Sequence, residues 1–197
     1  MVKQHNITLL HGIQVDSGSI VAHPAPKGGF ILFHFRPTVG LWVRFHKPIV
    51  HVDLATFSDQ EIKEVLVRYQ VVVFAGGADD RTMPNEPAAP FFYRENVAPC
   101  VRLAELGKQV KLQKLIILGS YFTYFNRTRP EWKMAERHPY VRSRVLQQEE
   151  TMHAAQGVVK VEVLELPYIF GSSPDRIPLW KPLVKYIKST PLVFYTK

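Results

Sequence analysis

The chain has 197 residues, 46% hydrophobic and 21% charged, so a packed globular core is expected and wholesale disorder is not. Its one cysteine, Cys100, excludes an internal disulfide and fits a reducing compartment, and no apolar run approaches the ~20 residues of a bilayer crossing. The net charge of +8 is scattered among apolar and acidic residues, a solvated surface rather than a phosphate-tracking stripe, so neither a membrane nor a nucleic acid is an expected partner.

The start, "MVKQHNITLLHG", has no small-residue cleavage site and is not read as a signal peptide, which makes the cytoplasm the expected location. Residues 1–47 read as an irregular or divergent segment holding one or two strands and no good amphipathic helix. "PIVHVDL" (48–54) is rich in β-branched residues and reads as a strand. Ser58 with Glu61 three residues on is a capping box, and Ile62, Val65, Leu66 and Tyr69 continue at helical spacing. "VVVFAGGA" (71–78) has the continuous apolar character of a strand buried on both faces of a parallel sheet. A polar, proline-bearing loop (79–90) follows.

"FFYRENVAPCVRLAELG" reads as a helix with Gly107 as its C-cap, and Pro99 either kinks it or marks its first turn. "KLIILGSYF" (114–122) is a second buried strand, followed by a loop containing Trp132 and a helix over 138–156 closed by Gly157. "VVKVEVLELPYIFG" (158–171) is a further strand and "PLWKPLVKYIKS" a short helix. "PLVFYTK" ends the chain on apolar residues, as if mid-fold. The alternation implies an α/β class: a mainly parallel, Rossmann-like sheet with helices on both faces and right-handed crossovers, incomplete at its ends.

Ligands of such sheets bind beyond the carboxyl ends of the strands. Three stretches put glycine or polar residues there: Ala75-Gly76-Gly77, Gly119-Ser120 and Pro167-Tyr168. The paired glycines allow a ligand to approach the backbone closely, or simply ease a turn. In "HPYVRSRVLQQEE" Tyr140 and Arg144 are four apart, on one helical face. A tyrosine needs a neighbouring cation to exchange protons near neutral pH, and Arg144 could supply it while Ser120 orients a substrate oxygen. The histidines lack a ligand-like spacing with cysteines or acids, so no metal site is expected.

The order of these motifs resembles the extended short-chain dehydrogenase/reductase family of NAD(P)-dependent epimerases and dehydratases over about residues 48–197. The matching positions are Asp53 in "HVDL", Ala75-Gly76-Gly77 in "VVVFAGGA", Asn96 in "RENVA", Ser120 in "LGSYFTYF" and Tyr140 in "PYVRSR". The resemblance implies a bound NAD or NADP and a hydride-transfer reaction on a small molecule, a sugar nucleotide or similar hydroxyl/keto compound. Asp53 would contact the adenine, with Leu54 beside it, and Ala75, Gly76, Gly77, Pro167 and Tyr168 would also line the cofactor. Ser120 and Tyr140 would handle the substrate oxygen, and Asn96 would hold a relay water. A homodimer is left open.

Two departures stand against the family pattern. Arg144 replaces its lysine, and residues 1–47 hold no Gly-x-x-Gly-x-x-Gly turn: Gly12 and Gly18 are six apart with Asp16 between them, and Pro24 and Pro26 interrupt the helix that should follow. The alternative reading is a catalytically inactive fragment or pseudoenzyme acting as a binding protein.

Overall fold

The computed structural model describes residues 20–22, 30–33, 50–52, 54–167 and 180–189. The chain divides into two units, residues 14–167 and residues 1–13 with 168–197. The described part of the smaller unit is one helix, α7 (Trp180–Ser189), whose Leu183, Tyr186 and Ile187 are exposed. The apolar run "PLVFYTK" lies outside the described residues, as does the Gly12–Gly18 stretch.

The larger unit is built on a six-stranded sheet. Its strands are β1 (Ile20–Ala22), β2 (Phe30–Phe33), β3 (Val50–Val52), β4 (Val71–Phe74), β5 (Lys114–Ser120) and β6 (Lys160–Leu166), in spatial order β3-β1-β2-β4-β5-β6. β2, β4, β5 and β6 are parallel neighbours, with Val73 opposite Ile116 and Ile117 opposite Val163. β1 runs antiparallel to both β2 and β3. Two strands from before residue 48 therefore belong to the same sheet as the rest, and the class is α/β with a mainly parallel sheet.

The strands are β because alternate residues serve two different surfaces. Val72, Phe74, Leu115 and Ile117 are buried, and Val161 and Val163 pack against them. The intervening Val71, Val73, Ile116 and Leu118 are only half-buried, and on that face Glu162 pairs with both Lys114 and Lys160. The helices α1 (Asp59–Leu66), α3 (Ala98–Gln109) and α6 (Pro139–Ala155) pack on the buried side, contributing Ile62 and Leu66, Leu103 and Ala104, and Ala154 and Ala155 to one core. α1 starts as its spacing predicts: the Ser58 hydroxyl accepts from the Glu61 N–H while the Glu61 carboxylate accepts from the Ser58 N–H.

Three boundaries differ from the sequence expectation. β5 ends at Ser120, and "YFTYFNRT" is a helix, α4 (Tyr121–Thr128), followed by a 3-10 turn Pro130–Trp132 and the short α5 (Met134–Arg137). The aromatic run looked continuous with the strand, but Ser120 is an N-cap and turns the backbone there. The helix expected from Phe91 begins earlier, as α2 (Ala88–Phe92), and reaches α3 through a π turn over Tyr93–Val97. Pro99 explains the turn, because it has no N–H to give to the carbonyl four residues back. α3 then runs through Gly107, which is no cap: a Cβ there would lie 3.1 Å from Leu112 Cδ2, so glycine is what lets Leu112 pack on the helix. No described helix is long and apolar enough to cross a membrane.

Candidate functional site

β4 delivers Ala75, Gly76 and Gly77 to its carboxyl end, all buried. Gly77 has φ +118°, a conformation that glycine adopts without a Cβ penalty. A Cβ at this position would overlap Asn96 Oδ1 and sit 3.3 Å from Arg144 Nη1. The end of β4, the π turn and α6 therefore meet at one point. Asn96 is fully buried there, and its Nδ2 donates to Ser143 Oγ at 2.9 Å. Its Oδ1 has no hydrogen-bond partner among the described residues.

Arg144 is 6% exposed. Its Nη2 donates to the Leu118 carbonyl at 2.7 Å, and its Cζ lies 5.9 Å from the centroid of the Tyr140 ring. Among the described residues Nε has no hydrogen-bond partner and no carboxylate pairs with this cation. A buried guanidinium is costly; the carbonyl and the aromatic face offset part of that cost. The i, i+4 spacing does bring Tyr140 and Arg144 together, but the contact is made through the ring face, and the hydrogen bond goes to β5.

Tyr140 is half-buried in the first turn of α6. Its ring meets Phe92 edge-on at 5.7 Å and Phe122 at 6.2 Å. Ser120 Oγ accepts from the Phe122 N–H at a long 3.4 Å, which leaves the hydroxyl proton free to donate. Serine and tyrosine thus share Phe122 as a neighbour. Gly119, beside Ser120, is glycine because of the adjacent strand: a Cβ would lie 2.7 Å from Val163 Cγ1.

A second polar group, not anticipated from the sequence, braces Ser120 from the far side. Thr123 Oγ1 lies 2.7 Å from the Ser120 carbonyl and 2.8 Å from Glu165 Oε1, and accepts from Gln148 Nε2 at 2.8 Å. Arg127 grips both Glu165 oxygens at 2.9 and 3.0 Å. These bonds, Arg127's first, hold the Glu165 carboxyl down to about 2 against the opposing effect of burial. A carboxyl depressed in the folded state stabilises the protein above its ordinary 4.5, and that contribution is lost as pH falls toward about 2. In urea unfolding, the midpoint difference between wild type and Glu165→Gln is expected to be largest at neutral pH and to close over that window. A difference that is constant with pH would contradict the assignment.

The other expected site residues are placed as follows. Leu54 is buried and its side chain joins the core, while its carbonyl accepts from Arg102, which also holds the Phe57 carbonyl at 2.8 Å. Pro167 is exposed at the end of β6. Asp53 and Tyr168 lie outside the described residues. Gln147, fully buried, donates to the Asn96 carbonyl at 2.6 Å and to Cys100 Sγ at 3.1 Å. Burial pushes the Cys100 thiol up to about 12, outweighing the Gln147 bond and the charge of Arg144, so it stays protonated. A groove of about 540 Å3, lined by Met83, Pro87, Phe91 and Arg94 among others, includes none of these residues. Gln147 and Ser143 could not be singled out beforehand, because their partners are some fifty residues away in the chain.

No protein-family model matches the sequence. No curated protein matches it either. Among solved structures, MoeE5 in complex with UDP-glucuronic acid and NAD is similar, with 18% identity, a TM-score of 0.48, and coverage of 75% of this chain and 50% of that one. dTDP-4-dehydrorhamnose reductase from Yersinia enterocolitica gives 15% identity, a TM-score of 0.49, and coverage of 71% and 51%. TunA, titled an NAD-dependent NDP-hexosamine 5,6-dehydratase, gives 17% identity, a TM-score of 0.45, and coverage of 69% and 45%. The chain spans about half the length of these enzymes.

Proposed function

We propose that the larger unit carries an NAD(P)-dependent oxidoreductase centre of the epimerase/dehydratase kind, acting on a hydroxyl or keto carbon of a sugar nucleotide or similar compound. The observation that carries the reading is the anchoring of Tyr140 at the end of β5. Arg144 reaches from beneath the tyrosine ring to the Leu118 carbonyl, two residues before Ser120. Among the described residues the Tyr140 hydroxyl has no hydrogen-bond partner and is left for a substrate.

In this reading Tyr140 gives or takes the proton of the substrate oxygen, Ser120 donates a hydrogen bond to that oxygen, and Arg144 fixes the ring. The residues at the carboxyl edge suit a nucleotide cofactor in one respect. The buried Arg144 Nε and Asn96 Oδ1, unmatched among the described residues, lie where the end of β4 meets α6 and are polar groups that a ligand could satisfy. NAD or NADP, when bound, would supply the hydride acceptor or donor.

A second reading, a non-catalytic binding protein, is favoured by the engagement of Asn96. Its backbone carbonyl accepts from Gln147 and one side-chain N–H is given to Ser143, so the carbonyl is not open to a relay water. Fluorescence titration with NADH and NADPH separates the two. The oxidoreductase reading expects saturable binding of one or both, and its absence at millimolar cofactor would sink it.

A further inference from the structure

We infer that Ser143 is a positioning residue for Tyr140, the outer end of a clamp that ties the first turn of α6 to the π turn. The inference deepens the reading of Tyr140 given above and rests on it for its functional meaning.

α6 needs such a tie. Its N-cap residue, His138, makes no side-chain capping bond, and Pro139 occupies the first turn, so no capping side chain holds the backbone beside Tyr140. Ser143 supplies the missing restraint. Its hydroxyl donates to the Tyr140 carbonyl at 2.7 Å and accepts from Asn96 Nδ2 at 2.9 Å. One helical turn further on, Gln147 donates to the Asn96 carbonyl at 2.6 Å. Asn96 is thus held by α6 at two points, four residues apart on one helical face.

All three side chains are buried, Ser143 being 3% exposed and the other two fully enclosed. Water cannot easily substitute for a bond lost there. At its inner end the clamp rests on Gly77, whose missing Cβ gives Asn96 Oδ1 its place. The path Gly77–Asn96–Ser143–Tyr140 therefore connects the carboxyl end of β4 with the proposed acid. A hydroxyl is the small group that can both accept from an amide and donate to a carbonyl, so alanine at 143 would break both bonds.

The test uses tyrosine labelled with 13C at Cζ in the full chain, with the Tyr140 line assigned by its disappearance in Tyr140→Phe. In Ser143→Ala the Tyr140 line is expected to shift or broaden, while those of Tyr69 and Tyr186 stay in place. Ser143→Thr keeps the hydroxyl and should leave the Tyr140 line near its wild-type position. If the alanine variant does not fold, Ser143→Cys removes the strong bonds at nearly the same volume and takes its place. An unmoved Tyr140 line in the folded alanine or cysteine variant, or an equal displacement in the threonine variant, overturns the clamp.

In the hydride-transfer assay, Ser143→Ala should lower kcat about tenfold with KM unchanged, the signature of a misplaced rather than missing group. A Tyr140 line that shifts in Ser143→Ala, when the wild-type protein neither binds cofactor nor turns over, would leave the clamp standing and sink the oxidoreductase reading instead.

Discussion

Gly77→Ala is expected to destabilise the protein by about 3 kcal/mol and to lower Tm by about 10 °C. Two costs combine. At φ +118° an L side chain is strained by ~1–2 kcal/mol, and the added methyl must displace buried atoms for a further ~1–3 kcal/mol. The atoms in its way are Asn96 Oδ1 and, at 3.3 Å, Arg144 Nη1, both on side chains held by other bonds. Neither can withdraw without surrendering Ser143 or the Leu118 carbonyl. Gly157 provides the control. It also has positive φ, +72°, but nothing lies within 4 Å of its missing Cβ, so Gly157→Ala should cost only about 1 kcal/mol. Thermal unfolding of the two variants side by side checks the assignment; equal losses would mean that the crowding at Gly77 does not matter.

On the proposed oxidoreductase reading, Tyr140→Phe is expected to lower hydride-transfer turnover by about 10²–10⁴-fold, the range of a lost general acid or base, with cofactor affinity unchanged. The substitution is clean because the hydroxyl has no partner among the described residues. The ring contacts with Phe92 and Phe122 and the approach of Arg144 depend on the ring alone. Stability should therefore stay within about 0.5 kcal/mol of wild type, so a loss of activity reports chemistry rather than folding. Turnover equal to wild type would show that Tyr140 is not the proton-transferring group.

Much of the scaffold was legible because it depends on neighbours in sequence. The Ser58–Glu61 capping box is a reciprocal bond across three residues, and the end of α6 needs only Gln156 and Gly157 at positive φ. The apolar runs of β4 and β5 mark buried strands wherever they lie. Boundaries failed where a residue serves something distant. Gly107 looked like a helix terminus, but it makes room for Leu112 and Val159. Tyr121 and Phe122 looked like the end of the strand, but the Ser120 N-cap and the Thr123 bond to the Ser120 carbonyl make them the start of a helix.

The candidate site divides along the same line. By itself the sequence determined which residue types stand at the carboxyl ends of β4 and β5, and that Tyr140 and Arg144 share a helical face. It could not determine where Arg144 points, which neighbour forbids a side chain at Gly77, or that Asn96 is held by Ser143 and Gln147. Periodicity and capping act within about four residues, whereas the bonds that decide these points join residues 26 to 51 positions apart. Only the packing of α6 against the π turn and β5 brings those partners within reach. That packing makes Arg144 a support beneath the Tyr140 ring.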